Sequence, residues 1–74
     1  MQVKVKLFAS FRLKWFKEAD KECLQGAEVL DIVKGIGISV NELGIVLVNG
    51  CHASLNTVLH DGDVVSLMPL IGGG

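Results

Sequence analysis

Residues 62–74 read GDVVSLMPLIGGG, a stretch that combines a turn, a strand, a proline and three glycines. The Gly-Asp pair favours a turn, and the mostly apolar residues 64–68 predict a β-strand. Pro69 fixes its own φ angle and has no N–H group, so we expect regular strand pairing to stop close to it. The stretch therefore predicts a final strand that leaves the sheet shortly before the C-terminus.

The three glycines after this strand, Gly72, Gly73 and Gly74, have no side chains that could pack against a core. We therefore expect a folded domain of residues 1–71 and a flexible tail of residues 72–74. The tail offers a backbone narrow enough for a tight channel and an α-carboxylate that is ionised at neutral pH. Because a carboxylate is a poor electrophile, another enzyme would have to activate it. The alternative is a frayed terminus without a function.

The length and composition limit the remaining possibilities. Seventy-four residues form a single domain, and half of them are hydrophobic while only 20% are charged. Part of the apolar surface is therefore expected to stay exposed or to meet a partner. The formal net charge of −1 does not favour binding to nucleic acid or to an anionic membrane. No apolar run approaches the roughly 20 residues of a membrane span, and the N-terminus does not resemble a signal peptide. We expect a soluble, cytoplasmic protein.

Four side chains could in principle bind a metal ion: Cys23, Cys51, His52 and His60. Their spacing matches no zinc pattern, because short Cys-x-x-Cys and His-x-x-x-His pairs are missing. Two cysteines are also too few for the disulfide framework of a small secreted domain. We therefore predict no metal site, no disulfide and no catalytic Cys–His pair.

At the N-terminus, Val3, Val5 and Leu7 alternate with polar residues, which predicts a half-buried strand that continues through residues 8–9. Residues 10–20 have no sustained period and are interpreted as a loop with aromatic core anchors and solvated charges. A second strand at residues 21–24 would complete a hairpin.

The period changes to that of a helix near residue 27. Val29, Ile32, Val33 and Ile36 would face a sheet, and glycines at 35 and 37 would end the helix after two to three turns. Residues 39–42 allow one further helical turn.

Residues 45–48 form a continuous apolar run, which is typical of a strand buried on both faces in the middle of a sheet. Asn49-Gly50 is a strong hairpin signal, and residues 51–53 would form a short returning strand. Residues 55–59 would tuck a small turn under the sheet. The order of hairpin, helix and further strands predicts an α+β fold: a β-grasp (ubiquitin-like) roll with a mixed four- to five-stranded sheet and one main helix.

The sequence resembles a known family in several segments. Residues 62–74 resemble, without a gap, the C-terminal signature of the MoaD/ThiS sulfur carriers, Gly-Asp-x-Val-x-apolar-Phe-Pro-Pro-Val-Ala-Gly-Gly. Val48-Asn49-Gly50 is similar to a Val-Asn-Gly of that family, and residues 7–9 followed by Arg12 are similar to the first strand of its MoaD branch. Leu70 replaces the second proline and Gly72 replaces a small residue, so the departures concern the subfamily rather than the terminus.

The resemblance implies a carrier or cosubstrate rather than an enzyme, with no bound cofactor. An adenylating enzyme of the ubiquitin-activating type would use ATP and magnesium to convert the carboxylate of Gly74 into an acyl-adenylate. A sulfur donor such as a cysteine desulfurase would then provide the sulfur of a C-terminal thiocarboxylate. A sulfur-accepting synthase subunit would use it to build a cofactor. The MoaD-like features favour molybdopterin over thiamine thiazole.

The excess of apolar residues suggests a docking surface for these partners. We predict that it includes Phe8, Leu67, Pro69, Leu70 and Ile71. The alternative is that Leu67 and Phe8 are ordinary core residues.

Two other functions share the same features. A ubiquitin-like modifier would be joined to lysines of other proteins through Gly74, by the same tail chemistry. A β-grasp interaction module would not use its glycines at all. Adding one residue after Gly74 separates these classes, because only the module would be unaffected.

Overall fold

The structure is a computed structural model, and it describes residues 1–70. Its sheet contains five strands in the order β2-β1-β5-β3-β4, in which β1 and β5 are parallel and the other neighbours are antiparallel. The elements in chain order are β1 (Gln2–Leu7), α1 (Ala9–Lys14), β2 (Glu18–Glu22), α2 (Val29–Ile36), a 3₁₀ turn (Val40–Glu42), β3 (Leu43–Val48), β4 (Cys51–His52) and β5 (Val64–Pro69). The prediction of a β-grasp roll with a mixed sheet and one main helix is confirmed. The predicted domain boundary after residue 71 lies outside the described residues.

The prediction of a loop after β1 is wrong, because this segment contains the helix α1. Phe8 is not the continuation of β1 but the extended residue that precedes the helix. Phe11 is the only buried residue of α1, and its ring meets that of Trp15 edge to face at 5.7 Å. A single buried side chain on six residues leaves no helical period in the sequence. The strand β2 begins at Glu18, three residues before the predicted start at residue 21.

The helix α2 follows the predicted pattern. Val29, Ile32 and Val33 are buried against the sheet. The backbone N–H of Glu28 donates to Oδ2 of Asp31 at 2.8 Å, which satisfies a group at the start of the helix. Gly37 ends the helix with φ of +99°, a left-handed conformation that favours glycine.

The strand β3 differs from its prediction. It lies inside the sheet, but Val46 is buried on one face while Ile45 is 38% exposed. Because α2 covers only one face of the sheet, an apolar run here does not mean burial on both faces. The prediction of a strand buried on both sides is therefore wrong.

The turn between β3 and β4 is held to the start of β5 by side chains. Asn49 and Gly50 have φ angles of +52° and +81°, as a type I′ hairpin turn requires. Nδ2 of Asn49 donates to Oδ1 of Asp63 at 2.9 Å, and its Oδ1 accepts from the N–H of Val64 at 2.9 Å. The N–H of His60 donates to Oδ2 of Asp63 at 2.8 Å. This bond and the bond from Asn49 hold the pKa of Asp63 below its ordinary value.

The core lies between α2 and one face of the sheet, and it also receives a side chain from the segment before β5. That side chain is Leu59, which is 1% exposed, whereas Leu55 is half-buried and Val58 is exposed. The turn predicted to tuck under the sheet thus does so mainly through Leu59. Among residues 1–70, no helix has the length and apolar character needed to cross a bilayer. The buried apolar residues are Val3, Val5, Leu7, Phe11, Val29, Ile32, Val33, Ile38, Val46, Leu59, Val65 and Leu67.

Candidate functional site at the end of the central strand

The C-terminal residues follow β5, which is the central strand of the sheet. It pairs in parallel with β1, where Leu7 lies opposite Leu67, and antiparallel with β3, where Leu43 lies opposite Pro69. Like β1 and β3, β5 is therefore paired along both of its edges, and it lies in the middle of the five strands. The prediction that regular pairing stops close to Pro69 is confirmed, because β5 ends at that residue.

One backbone contact extends this constraint beyond the strand. The N–H of Leu70 donates to the carbonyl oxygen of Glu42 at 2.9 Å. Glu42 is the last residue of the 3₁₀ turn, and the hydroxyl of Ser39 accepts from the N–H of Asn41 at the start of that turn. Because Pro69 has no N–H to donate, the first backbone donor after Met68 is the N–H of Leu70, and its bond to Glu42 fixes the chain there. The residues that follow therefore start from a fixed point on the body.

Gly44 makes this geometry possible. A Cβ atom at Gly44 would lie 2.7 Å from the carbonyl oxygen of Pro69 and 2.9 Å from the nitrogen of Leu70. The pairing of β3 with β5 shifts register between Leu43 and Ile45, so Gly44 occupies a bulge at this point. This role of Gly44 was not predicted from the sequence, although an isolated glycine next to an apolar strand is a known signal for a bulge or a close backbone approach.

The structure places the predicted docking residues in different environments. Leu67 is fully buried, and Pro69 is buried as well. The prediction that Leu67 lies in an exposed part of the sheet is therefore wrong: its side chain belongs to the buried core, as does that of Val65 two residues earlier on the same strand. Leu70 is 65% exposed and Phe8 is 37% exposed, so both are available for contact. Ile71 lies outside the described residues.

Two residues that were not predicted from the sequence, Ile45 and Met68, complete an apolar area near the end of β5. Ile45 of β3 pairs with Met68 of β5, and both lie on the face of the sheet that α2 does not cover. Met68 is half-buried. The N–H of Phe8 donates to the carbonyl oxygen of Leu67 at 3.2 Å, which brings Phe8 to the same end of the sheet. We call Phe8, Ile45, Met68 and Leu70 the exit surface.

The described residues offer few groups for catalysis at this place. Cys23 is half-buried, Cys51 is exposed, and both are free thiols. Within residues 1–70, no three His, Cys, Asp or Glu side chains are grouped so that they could hold a metal ion. The arrangement can fix and present the chain beyond Leu70. The glycines predicted to form the reacting tail, Gly72, Gly73 and Gly74, lie outside the described residues.

Comparison with known protein families gives a match over most of the chain. The profile described as the ThiS family matches residues 5–74. The match thus covers the second half of β1, all later strands, both helices and the C-terminal glycines. No curated protein sequence matches the chain.

Several solved structures are similar over nearly the full length. A protein from Pyrococcus furiosus, provisionally described as subunit 1 of a molybdopterin converting factor, is 31% identical, with a TM-score of 0.79 and coverage of 96% of this chain and 99% of that one. A chain from the complex of subunits 1 and 2 of the molybdopterin-converting factor of Helicobacter pylori is 27% identical, with a TM-score of 0.67 and full coverage of both chains. The small archaeal modifier protein 1 of Methanosarcina acetivorans is 26% identical, with a TM-score of 0.71 and coverage of 99% and 96%. Proteins described as molybdopterin converting factor subunits and a small archaeal modifier protein thus share this fold.

Proposed function

Because the chain belongs to the ThiS family, we propose that it is a sulfur carrier whose reacting group is the C-terminal carboxylate of Gly74. The observation that carries the proposal is the combination of a family match that runs through residue 74 with a central strand held in place up to Leu70. A fixed body that ends in glycines suits the delivery of a terminus to another protein's active site. The chain would act as a cosubstrate rather than as a catalyst.

In the first step, an adenylating enzyme binds ATP and magnesium and receives the tail. A carboxylate oxygen of Gly74 attacks the α-phosphorus of ATP, and pyrophosphate leaves. The product is an acyl-adenylate, in which AMP is a good leaving group. Gly72 and Gly73 would allow the backbone to pass through a channel too narrow for side chains.

In the second step, sulfur replaces AMP. A sulfur nucleophile at the oxidation level of sulfide attacks the acyl carbon, the bond from that carbon to the AMP oxygen breaks, and AMP leaves with the electron pair. The product is a thiocarboxylate on Gly74. If the donor is a persulfide, such as the one a cysteine desulfurase forms, a second thiol must supply two electrons to cleave the acyl disulfide.

In the third step, the thiocarboxylate enters a sulfur-accepting synthase subunit. Its sulfur forms a bond to a carbon of the cofactor precursor and displaces a leaving group there. Water then cleaves the acyl–sulfur bond, which leaves the sulfur on the product and returns Gly74 to a carboxylate. The exit surface would dock on the synthase subunit, since Phe8, Ile45 and Leu70 are exposed and lie near the end of β5, where the tail starts. A partner of this kind is supported by the H. pylori complex, which joins subunits 1 and 2 of a molybdopterin-converting factor.

Molybdopterin is the favoured product of the pathway. Two similar proteins, at 31% and 27% identity, are described as subunits of molybdopterin converting factors. The Phe8-Ala9 pair and Arg12 also resemble the MoaD branch of the family. The thiazole of thiamine is the alternative.

A second candidate function is modification of other proteins. The similarity to the modifier protein of M. acetivorans, at 26% identity, favours it. In this case a lysine amine, rather than sulfur, would attack the activated carboxyl of Gly74 and form an isopeptide bond. Activation by adenylation would be common to both functions.

Intact mass spectrometry tests the proposal. The chain is incubated with the adenylating enzyme of the same organism, ATP, magnesium and sulfide. We expect one oxygen of the chain to be replaced by sulfur, and we expect no exchange in a control that carries one additional residue after Gly74. If the enzyme forms the adenylate but the chain then appears only in conjugates with lysines, the modifier function replaces the carrier function. If wild type and control behave alike, the glycines are not used and the chain is an interaction module.

A further inference from the structure

The charges of this chain are separated along the sequence. Residues 1–17 contain five of the seven Lys and Arg side chains and none of the eight Asp and Glu side chains. The whole chain has a formal net charge of −1, so this segment is a strongly cationic part of a nearly neutral protein. Because β1 and α1 lie in this segment, the fold decides where the cations come together.

Three of these cations surround one concavity of about 180 Å³. Lys6 comes from β1, Arg12 from α1 and Lys17 from the connection to β2, and Phe8 lines the same concavity. The N–H of Leu7 donates to the carbonyl oxygen of Lys17 at 3.0 Å, which holds that connection beside the end of β1. We call Lys6, Arg12 and Lys17 the cationic cluster.

The cluster is not neutralised within the described residues. Glu18 is the one carboxylate that lines the concavity, and it lies opposite Lys6 in the pairing of β1 with β2. Its Oε2 atom is nevertheless 3.4 Å from Nζ of Lys4, with which it forms an ion pair. Among residues 1–70, no carboxylate lies within ion-pair distance of Lys6, Arg12 or Lys17. Three unpaired cations at one place raise the local positive potential.

The cluster lies at the end of the sheet from which the tail leaves. The N–H of Phe8 donates to the carbonyl oxygen of Leu67. Leu70 follows Leu67 by three residues, a distance of about 10 Å along an extended strand. Residues 71–74 can carry the terminal carboxyl at most about 14 Å from Leu70. A partner that seats this carboxyl in its active site must therefore come close to this end of the sheet. An interface of the usual size, about 800 Å² on each partner, would then cover Phe8 and the cluster.

We propose that the cationic cluster docks against an acidic surface that surrounds the tail channel of the adenylating enzyme. The proposal rests on the proposed function. Phe8 provides the apolar contact, and the cations around it select a partner surface of opposite charge and accelerate the encounter. The cluster thus acts in the recognition of the enzyme and has no part in the chemistry at Gly74.

Charge reversal on two exposed helical residues tests the proposal. Arg12→Glu changes a residue of the cationic cluster on α1. The control, Lys34→Glu, changes a residue on α2, and both substitutions alter the net charge by the same amount. ATP–pyrophosphate exchange by the adenylating enzyme of the same organism is measured as a function of carrier concentration. We expect Arg12→Glu to raise the KM for the carrier about tenfold, and Lys34→Glu to change it less than about twofold. The kcat should be similar in all three proteins, because Gly74 is unchanged.

Salt provides an independent measurement. The KM of the wild type should rise between roughly 50 and 300 mM NaCl, because screening weakens attraction between exposed charges. The KM of Arg12→Glu should rise less. Should Arg12→Glu lower the melting temperature, the comparison is repeated with Arg12→Gln, which removes the charge without reversing it.

The possible outcomes distinguish the docking proposal from the proposed carrier function. If the wild type supports exchange and both charge reversals raise KM equally, the effect comes from overall charge, and the docking proposal is overturned while the carrier function stands. The same holds if neither substitution has an effect. If the wild type supports no exchange that depends on Gly74, the proposed function fails, and the docking proposal fails with it.

Discussion

Replacing Gly44 with alanine should destabilise this protein, even though the residue lies near the surface. The new Cβ atom would lie 2.7 Å from the carbonyl oxygen of Pro69, whereas ordinary contacts begin at 3.4 Å. The obstacle is backbone and not the end of a flexible side chain. One of the two strands would therefore have to retreat by roughly 0.7 Å, a change that well-packed structures resist.

The hydrogen bond from Leu70 to Glu42 is the contact most directly affected. At 2.9 Å it is well formed, but a shift of that size along the bond would take it to about 3.6 Å, beyond hydrogen-bonding range. The strain and the lost hydrogen bond lower the unfolding free energy, whereas the smaller backbone entropy of alanine in the unfolded chain offsets part of this loss. The net decrease should be about 1–3 kcal/mol. For a domain of this size, that corresponds to a melting temperature about 5–20 °C lower.

Gly35→Ala is the matched control for this substitution. Gly35 lies in α2, and a Cβ there would meet no atom within 4 Å. This substitution should raise the unfolding free energy by about 0.4–1 kcal/mol, because alanine favours the helix and restricts the unfolded chain. Thermal unfolding measures both variants, and amide hydrogen exchange of Leu70 should accelerate in Gly44→Ala more than exchange of the amides in β1.

Two results would refute this reasoning. If Gly44→Ala melts at or above the wild-type temperature while Gly35→Ala behaves as expected, the close approach of β3 to the end of β5 is not present in solution. If the melting temperature falls but the exchange of the Leu70 amide does not change relative to β1, the strain is relieved elsewhere. In that case the bond to Glu42 does not hold the start of the tail.

Three further substitutions test other parts of the structure. Leu70→Asp should weaken binding to the adenylating enzyme in a pull-down or calorimetric titration without lowering the melting temperature. The control Leu24→Asp, at another exposed leucine, should leave binding unchanged. An equal loss of binding in both variants would reject the exit surface as a docking site. Leu67→Ala should cost about 2–5 kcal/mol of unfolding free energy, because it opens a cavity beneath the central strand, and a loss of binding at unchanged stability would contradict its place in the core. Since the hydrogen bonds lower the pKa of Asp63 in the folded state, its contribution to stability is present above the ordinary pKa of an aspartate and is lost as the pH falls through the folded-state pKa. Asp63→Asn should therefore be less stable than the wild type at neutral pH, and the two unfolding free energies should converge at acid pH; a constant difference at every pH would contradict this role for the carboxylate.

Local signals in the sequence were sufficient for several elements. The helical spacing of Val29, Ile32 and Val33 identified α2, because burial of one helix face leaves a period of 3.6 residues. The Asn49-Gly50 pair identified the hairpin, because both positions need positive φ angles. Pro69 marked the end of the last strand, because a residue without an N–H group cannot continue regular pairing.

Features that depend on distant contacts could not be obtained in this way. Phe11 is the one buried side chain of the helix α1, so the sequence of this segment shows no periodic pattern. In the folded sheet Leu67 is a core residue and Ile45 is exposed. In the sequence, both are simply apolar residues within predicted strands. The sequence offered no reason to prefer one of them for docking.

By itself, the sequence determined the α+β, β-grasp fold class and the position of the glycines after the last strand, since periodicity, turn residues and the proline act within a few neighbouring residues. Only the tertiary structure decided that β5 is the central strand, that Gly44 must admit the carbonyl of Pro69, and that Lys6, Arg12 and Lys17 meet beside the start of the tail. These relations join residues that are far apart in the chain or that lie in different elements. They follow from how the strands are ordered and packed, and no short stretch of sequence encodes that order.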